Sequence, residues 1–332
     1  MPQHPETMNL PQTIAWLREH QNVLVLTHAR PDGDAWGSTV AVRRLMERLG
    51  GSATIRLTGW LDPMMRELFP NEPVTFDDPN PPKAEAVVVV DTSAESQLDR
   101  DAAFCRSMED RLLVIDHHAK GDKWTHACVD ATLPSTTALL TKLMLEAGLS
   151  LDQDLAEPLL LGLATDTGWF RHANADADAF ALAGSLIAAG ARRDRLYQAT
   201  EGAQHPARLS LMGTALGRLE WLAEGQVAMT GLAHDDFVAA GAGAEVLAGV
   251  VNEPLSVRGC GVSLLCTEVT PGLVKVSLRS IPDEHGCPIL DVAEFAAQFG
   301  GGGHRMAAGC RIPGDLSTAI ATIRDALLAT IS

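Results

Sequence analysis

Eight residues in the first half of the chain are of the types that hold divalent cations or move protons: His28, Asp32, Asp34, Asp91, Asp116, His117, His118 and Asp166. Most follow apolar, β-branched runs. His28, Asp32 and Asp34 stand in VLVLTHARPDGDAWGS (23–38), Asp91 follows AVVVV (86–90), and Asp116-His117-His118 follow LLVI (112–115). Asp166 lies in the polar cluster Thr165-Asp166-Thr167. Carboxylate oxygens with imidazole suit Mn²⁺, Mg²⁺ or Zn²⁺ better than a soft metal. Taken alone, Pro31-Asp32-Gly33-Asp34 is equally good chemistry for a polar surface turn. Three strands ending in such residues point instead to one crevice above a parallel sheet. Six of the eight are candidate ligands: His28, Asp32, Asp34, Asp91, His117 and Asp166. Their four carboxylates would not converge in a dry cleft without compensation, and two divalent cations would balance them. Such a pair clamps a phosphoryl group while activating water. Asp91, after the most central-looking strand, is the expected bridge.

The elements that would carry these residues read as alternating strand and helix. Helices are expected at 9–20, from about Trp36 to Leu49, at 135–147, from 153 or 154 to 164, and at 176–189. Strands are expected at 23–26, 53–57, 86–90 and 112–115, with a connecting loop over 70–83. The second half changes texture. A helix is expected over 208–222, strands over 226–232, 257–267 and 272–280, and helices over 290–299 and 317–330. The expected fold is α/β: an N-terminal parallel-sheet domain (1–190), a linker (191–206) and a smaller mixed α/β domain (207–332), with the active-site cleft between the two.

At 332 residues, 46% apolar and 20% charged, the chain is long enough for two cores. The N-terminus lacks a basic stretch followed by an apolar one, so no signal peptide is expected. No uncharged apolar run approaches the ~20 residues of a membrane span. The six cysteines form no CxxC pair and read as reduced, mostly buried residues, which suggests the cytoplasm. A formal net charge of −16 argues against binding long nucleic acid. It leaves room for a small anionic substrate in a locally positive cleft.

His28-x-x-x-Asp32-x-Asp34, Asp91-Thr92-Ser93, Asp116-His117-His118 and Thr165-Asp166-Thr167 resemble the four ordered motifs of the DHH phosphoesterase superfamily. GGGGHRMAAG (300–309) resembles the substrate-binding loop of that superfamily's associated C-terminal domain. Within the superfamily the chain is similar to the small bacterial oligoribonucleases and pAp phosphatases. The resemblance implies two Mn²⁺ ions, with Mg²⁺ or another divalent metal as the alternative. One ion would sit on His28, Asp32 and Asp91, the other on Asp34, Asp91, His117 and Asp166. His118 matches the family's substrate-contacting histidine.

Other residues have both a chemical and a plain reading. Asp116 could orient an imidazole, or be a capping or surface aspartate. His118 could protonate a leaving oxygen or steady phosphoryl charge. Gly301, Gly302, Gly303 and His304 read as a loop before a short Ala-rich helix, exposing N–H groups to phosphate, or as a hinge. Arg279 could grip a terminal phosphate or end a strand in solvent, and Arg171 and Arg305 are lesser clamps. Trp36 and Trp169 read as core packing, with a base-stacking wall as the competitor.

The function implied is hydrolysis of very short RNA to 5′-mononucleotides and removal of the 3′-phosphate of pAp. Neither long nucleic acid nor membrane is an expected partner, and a homodimer is compatible with this reading. The alternatives are a cyclic or linear di-AMP phosphodiesterase and a non-catalytic nucleotide-binding regulator.

Overall fold

The computed structural model describes residues 7–331 except 79, 203, 204, 248, 284 and 285. It divides after residue 203 into two compact units. The first is built on strands β1 (Asn22–Leu26), β2 (Ser52–Leu57), β3 (Val74–Phe76), β4 (Ala86–Val90), β5 (Leu112–Asp116) and β6 (His126–Val129). They form one sheet in the order β3-β2-β1-β4-β5-β6, every pair parallel.

Both faces of this sheet are buried, which is why its strands read as unbroken apolar runs rather than alternating ones. Val23, Val25, Val88 and Val90 face one core, together with helices Gly33–Arg48, Thr136–Glu146 and Gln153–Asp166. Leu24, Leu26, Val87 and Val89 face a second core that includes Leu98, Cys105 and Trp124. Strand order reverses between β1 and β4. The loops leaving these neighbours therefore diverge, opening a crevice at their carboxyl ends.

Several boundaries differ from expectation. The first site helix starts at Gly33, not near Trp36, because Asp32 caps it: its carboxylate accepts from the Asp34 and Ala35 amides at 3.1 Å each. The expected loop over 70–83 contains the edge strand β3. Within the segment assigned to a linker, residues 193–202 form a short helix and a π turn, and 203 and 204 lie outside the described residues. Leu196 of that segment is buried in the first core, and Arg192 and Arg195 pair with Glu157.

The second unit has a mixed sheet of β7 (Glu220–Leu222), β8 (Val227–Leu232), β9 (Val262–Thr270), β10 (Leu273–Ser280), β11 (Gly302–His304) and β12 (Ala307–Pro313). Its order is β11-β12-β10-β9-β8-β7, and only β8 and β9 run parallel. The expected helix over 208–222 stops at Gly217, and Glu220–Leu222 joins the sheet. The strand expected from 257 begins at Val262.

GGGGHRMAAG is the largest correction: it is a β-hairpin, not a loop leading into a helix. Residues 307–313 alternate in burial, with Ala308, Cys310 and Ile312 inward, and that period of two fits a strand. Gly303 has φ +147, and a Cβ there would lie 2.5 Å from the Ala307 carbonyl oxygen, so the edge strand needs glycine.

Candidate metal centre

The eight candidate residues of the first unit converge on the carboxyl ends of β1, β4 and β5. Three overlapping groups have ligand atoms within 4.8 Å of one another: His28, Asp32 and Asp91; Asp34, His117 and Asp166; and Asp91, His117 and His118. Asp91 belongs to two of them, and His117 joins the third. Asp91 Oδ2 lies 3.6 Å from His28 Nε2, and its Oδ1 lies 3.8 Å from His117 Nε2. His117 Nε2 is also 3.1 Å from Asp166 Oδ2 and 4.0 Å from Asp34 Oδ2.

Asp91 is aimed by its backbone. It directly follows β4 and has φ +61, a left-handed conformation that costs a non-glycine residue energy and persists where its surroundings impose it. Its amide donates to the Ile115 carbonyl at 3.0 Å, tying the turn to β5.

Asp34 is fully buried and receives three hydrogen bonds from the start of helix Thr136–Glu146. The Thr136 amide donates at 2.7 Å, the Thr137 amide at 3.1 Å and the Thr137 hydroxyl at 2.8 Å. The Thr136 hydroxyl donates to Asp91 Oδ1 at 2.9 Å. This helix terminus is a donor platform that sequence reasoning missed. Its signal was the run Ser135-Thr136-Thr137, in which Ser135 is the N-cap.

Charge crowding shifts the pKa values of these groups. Burial first, then Asp166, pushes the Asp34 carboxyl up to about 6. Burial and then Asp34 raise Asp91 well above the ordinary carboxylate range. Burial opposes a charged His117, yet the adjacent Asp166 carboxylate, 3.1 Å from Nε2, and the charge of Asp34 raise it to about 9. Such a cluster calls for positive charge. His117 Nε2 is buried with no satisfactory hydrogen bond, while His117 Nδ1 lies 3.2 Å from the Leu133 carbonyl. With Nδ1 donating there, the Nε2 lone pair is free for a cation. An orphaned imidazole nitrogen among carboxylates fits a divalent ion.

Asp116 and His118 form a separate unit beside this set. Asp116 Oδ1 accepts from the amides of His117 and His118 at 2.8 and 3.1 Å, and contacts His118 Nδ1 at 2.8 Å. That hydrogen bond raises the His118 pKa. The His118 side chain is 52% exposed, against 13% for His117.

Trp36 is fully buried and its indole donates to the Met65 carbonyl at 2.9 Å, so it packs the core. Trp169 donates to the Thr200 hydroxyl and meets Tyr197 edge-on at 4.9 Å. Neither needs a base-stacking role.

The other candidates belong to the second unit. Arg279 on β10 pairs with Ala307 on β12, which pairs with His304 on β11. Facing residues of adjacent strands share a sheet face, so Arg279 and His304 lie on one face two strands apart. Arg279 is half-buried, with no carboxylate partner among the described residues, and burial lowers its pKa. Arg305 is instead engaged by Asp291 at 2.8 Å, and Arg171 donates to the Gly168 carbonyl.

Residues 22–163 match the family model for the DHH family, N-terminal domain, and residues 227–332 match the DHHA1 domain. The chain is 28% identical over 317 residues to a bifunctional oligoribonuclease and PAP phosphatase, NrnA, of Thermus thermophilus, covering 92% of this chain and 89% of that protein. It is 26% identical over 180 residues to the protein of that name in Bacillus subtilis, covering 53% of this chain and 56% of that one. Among solved structures, an exopolyphosphatase-related protein of Bacteroides fragilis superposes with a TM-score of 0.87 at 21% identity, over 96% of this chain and 95% of that one. An exonuclease RecJ bound to manganese shares the fold more distantly, with a TM-score of 0.52 at 15% identity over 98% and 95% of the two chains.

Proposed function

The chain belongs to the DHH family, with a DHH N-terminal domain followed by a DHHA1 domain, and from that premise we propose a two-metal phosphoesterase acting on very short RNA and pAp in the cytoplasm. The observation that carries the reading is Asp91, which turns one carboxylate oxygen toward each of two histidines in two neighbouring donor groups. His28, Asp32 and Asp91 would hold one ion, and Asp34, Asp91, His117 and Asp166 the other, with Mn²⁺ the first candidate. Such ions, when bound, supply an acidified water and stabilise charge on phosphoryl oxygens.

The chain's own residues supply the rest. Thr136 and Thr137 orient the carboxylates of Asp91 and Asp34. His118, kept basic by Asp116, can deliver a proton to the leaving 3′-oxygen. Short RNA and pAp present the same cut: a phosphorus–3′-oxygen bond breaks, water adds to phosphorus, and the 3′-oxygen gains a proton. Arg279 and His304 would bind the nucleotide, and Gly301, Gly302 and Gly303 would let its phosphate approach the backbone.

Purified protein with Mn²⁺ should be given pAp, a diribonucleotide, cyclic di-AMP, a long RNA and pyrophosphate in parallel. Turnover of the first two with little of the others supports the reading. Preference for pyrophosphate or cyclic di-AMP overturns it.

A further inference from the structure

We propose that a cavity of about 550 Å³ beside His28 holds the nucleoside on the 3′ side of the scissile phosphate, the one that departs as the 5′-mononucleotide. The inference rests on the phosphoesterase reading above. Besides His28, the cavity is walled by Ala29, Arg30, Thr58, Ser96, Gln97 and Asp99. Its volume falls within the range of small-molecule sites.

Three strand ends build the wall. Ala29 and Arg30 follow β1, Thr58 follows β2, and Ser96, Gln97 and Asp99 lie in the turn after β4. The segments are tied together: the Ala29 amide donates to the Gln97 carbonyl at 2.9 Å, and a Cβ on Gly59 would lie 1.8 Å from the Ala29 carbonyl oxygen. Thr92 donates to the Gln97 side-chain oxygen at 2.5 Å. The cavity is thus preformed, and it shares His28 with the metal centre.

The wall's polar groups suit a nucleoside. The Gln97 amide N–H groups and the Arg30 guanidinium have no protein acceptor among the described residues, so both are available donors. Asp99 has no cationic partner there, since neighbouring Arg100 pairs with Asp77 instead. A carboxylate repels an anion but accepts from ribose hydroxyls and base N–H groups. Donors and an acceptor together match a base edge and a sugar.

Strand order decides which nucleoside it takes. The cavity lies at β2-β1-β4, whereas His118 follows β5, so the two flank Asp91 on opposite sides along the sheet. The leaving 3′-oxygen is assigned to the side of His118, whose half-exposed imidazole is held by Asp116 Oδ1 at 2.8 Å. The nucleoside still attached to phosphorus through its 5′-oxygen then falls on the His28 side. A diribonucleotide has such a nucleoside and pAp has none.

The test compares the ratio of kcat/KM for a diribonucleotide to that for pAp, in the parent chain and in two variants. Ser96→Phe fills the cavity from an exposed position. Asp99→Asn removes the acceptor charge while tolerating the left-handed backbone at Asp99, φ +48. The ratio should fall at least tenfold in Ser96→Phe and several-fold in Asp99→Asn, with pAp turnover reporting that each variant is folded. An unchanged ratio in both variants, in a chain that hydrolyses both substrates, overturns the subsite alone. A parent chain that hydrolyses neither overturns the phosphoesterase reading and the subsite with it.

Discussion

The Thr136 hydroxyl donates to Asp91 Oδ1 at 2.9 Å, while the amide of the same residue donates to Asp34 Oδ2 at 2.7 Å. One residue at a helix start therefore orients two carboxylates that belong to different donor groups. The helix terminus also places partial positive charge against them.

If Asp91 serves both ions, Asp91→Asn should abolish turnover and lower bound metal while leaving the circular dichroism spectrum unchanged. Elemental analysis of the dialysed protein checks this. A variant with full metal content and a near-normal rate would reject the bridge.

The two adjacent histidines should separate by phenotype. His117→Ala should lose metal, because its Nε2 faces Asp34, Asp91 and Asp166. His118→Ala should keep metal and lose roughly 10²–10⁴-fold in kcat, the usual contribution of a general acid. Equal metal loss in both variants would mean that these roles are wrongly divided.

Close helix packing makes a stability prediction. A Cβ on Gly162 would lie 2.3 Å from Asp34 Oδ1 and 2.5 Å from the Thr137 side chain. Gly162→Ala should cost about 1–3 kcal/mol through overpacking and weaken metal binding as Asp34 moves. Gly184 is exposed in helix Ala177–Ala188, and an added methyl there would meet nothing within 4 Å, so Gly184→Ala should stabilise by about 0.5–1 kcal/mol. Denaturant midpoints for the pair distinguish steric overlap from helix propensity.

Substrate length should be set by the second unit. Arg279→Ala should raise KM for a diribonucleotide and for pAp far more than it lowers kcat, because a contact remote from the cut mostly supplies binding. The parent chain's kcat/KM should fall steeply across RNAs of increasing length at fixed salt, since a chain of net charge −16 repels RNA beyond the site. Equal activity on long RNA would recast the protein as a general exonuclease.

Glu157 offers a pH test outside the site. Burial would raise its carboxyl, but the hydrogen bond from Arg192 at 2.6 Å, with Arg195, holds it below the ordinary value of 4.5. A depressed carboxylate stabilises the fold above its unfolded pKa, and that stability is lost as pH falls through the folded one. Glu157→Gln should therefore cost about 1–2 kcal/mol near pH 7, reduced from a buried pair by the exposure of Arg192. The difference from the parent chain should shrink below about pH 4.5, as urea titrations at several pH values would report.

The sequence by itself determined the first sheet and its donor set. Val23–Leu26, Val87–Val90 and Leu112–Ile115 are apolar on both faces, which only a strand of a doubly covered parallel sheet requires. The polar residues that follow them had to emerge at one edge of that sheet. GGGGHRMAAG shows where local reading stops. Its glycines suit a loop as well as a closely paired edge strand, and only pairing with β10 settles the choice. The tertiary structure alone decided how the carboxylates are held. The Thr136 bonds to Asp91 and Asp34 span 45 and 102 residues, and contacts at such separations leave no periodicity or spacing for a sequence to display. The same holds for the cavity beside His28, whose wall exists only because strand order brings the ends of β2, β1 and β4 side by side.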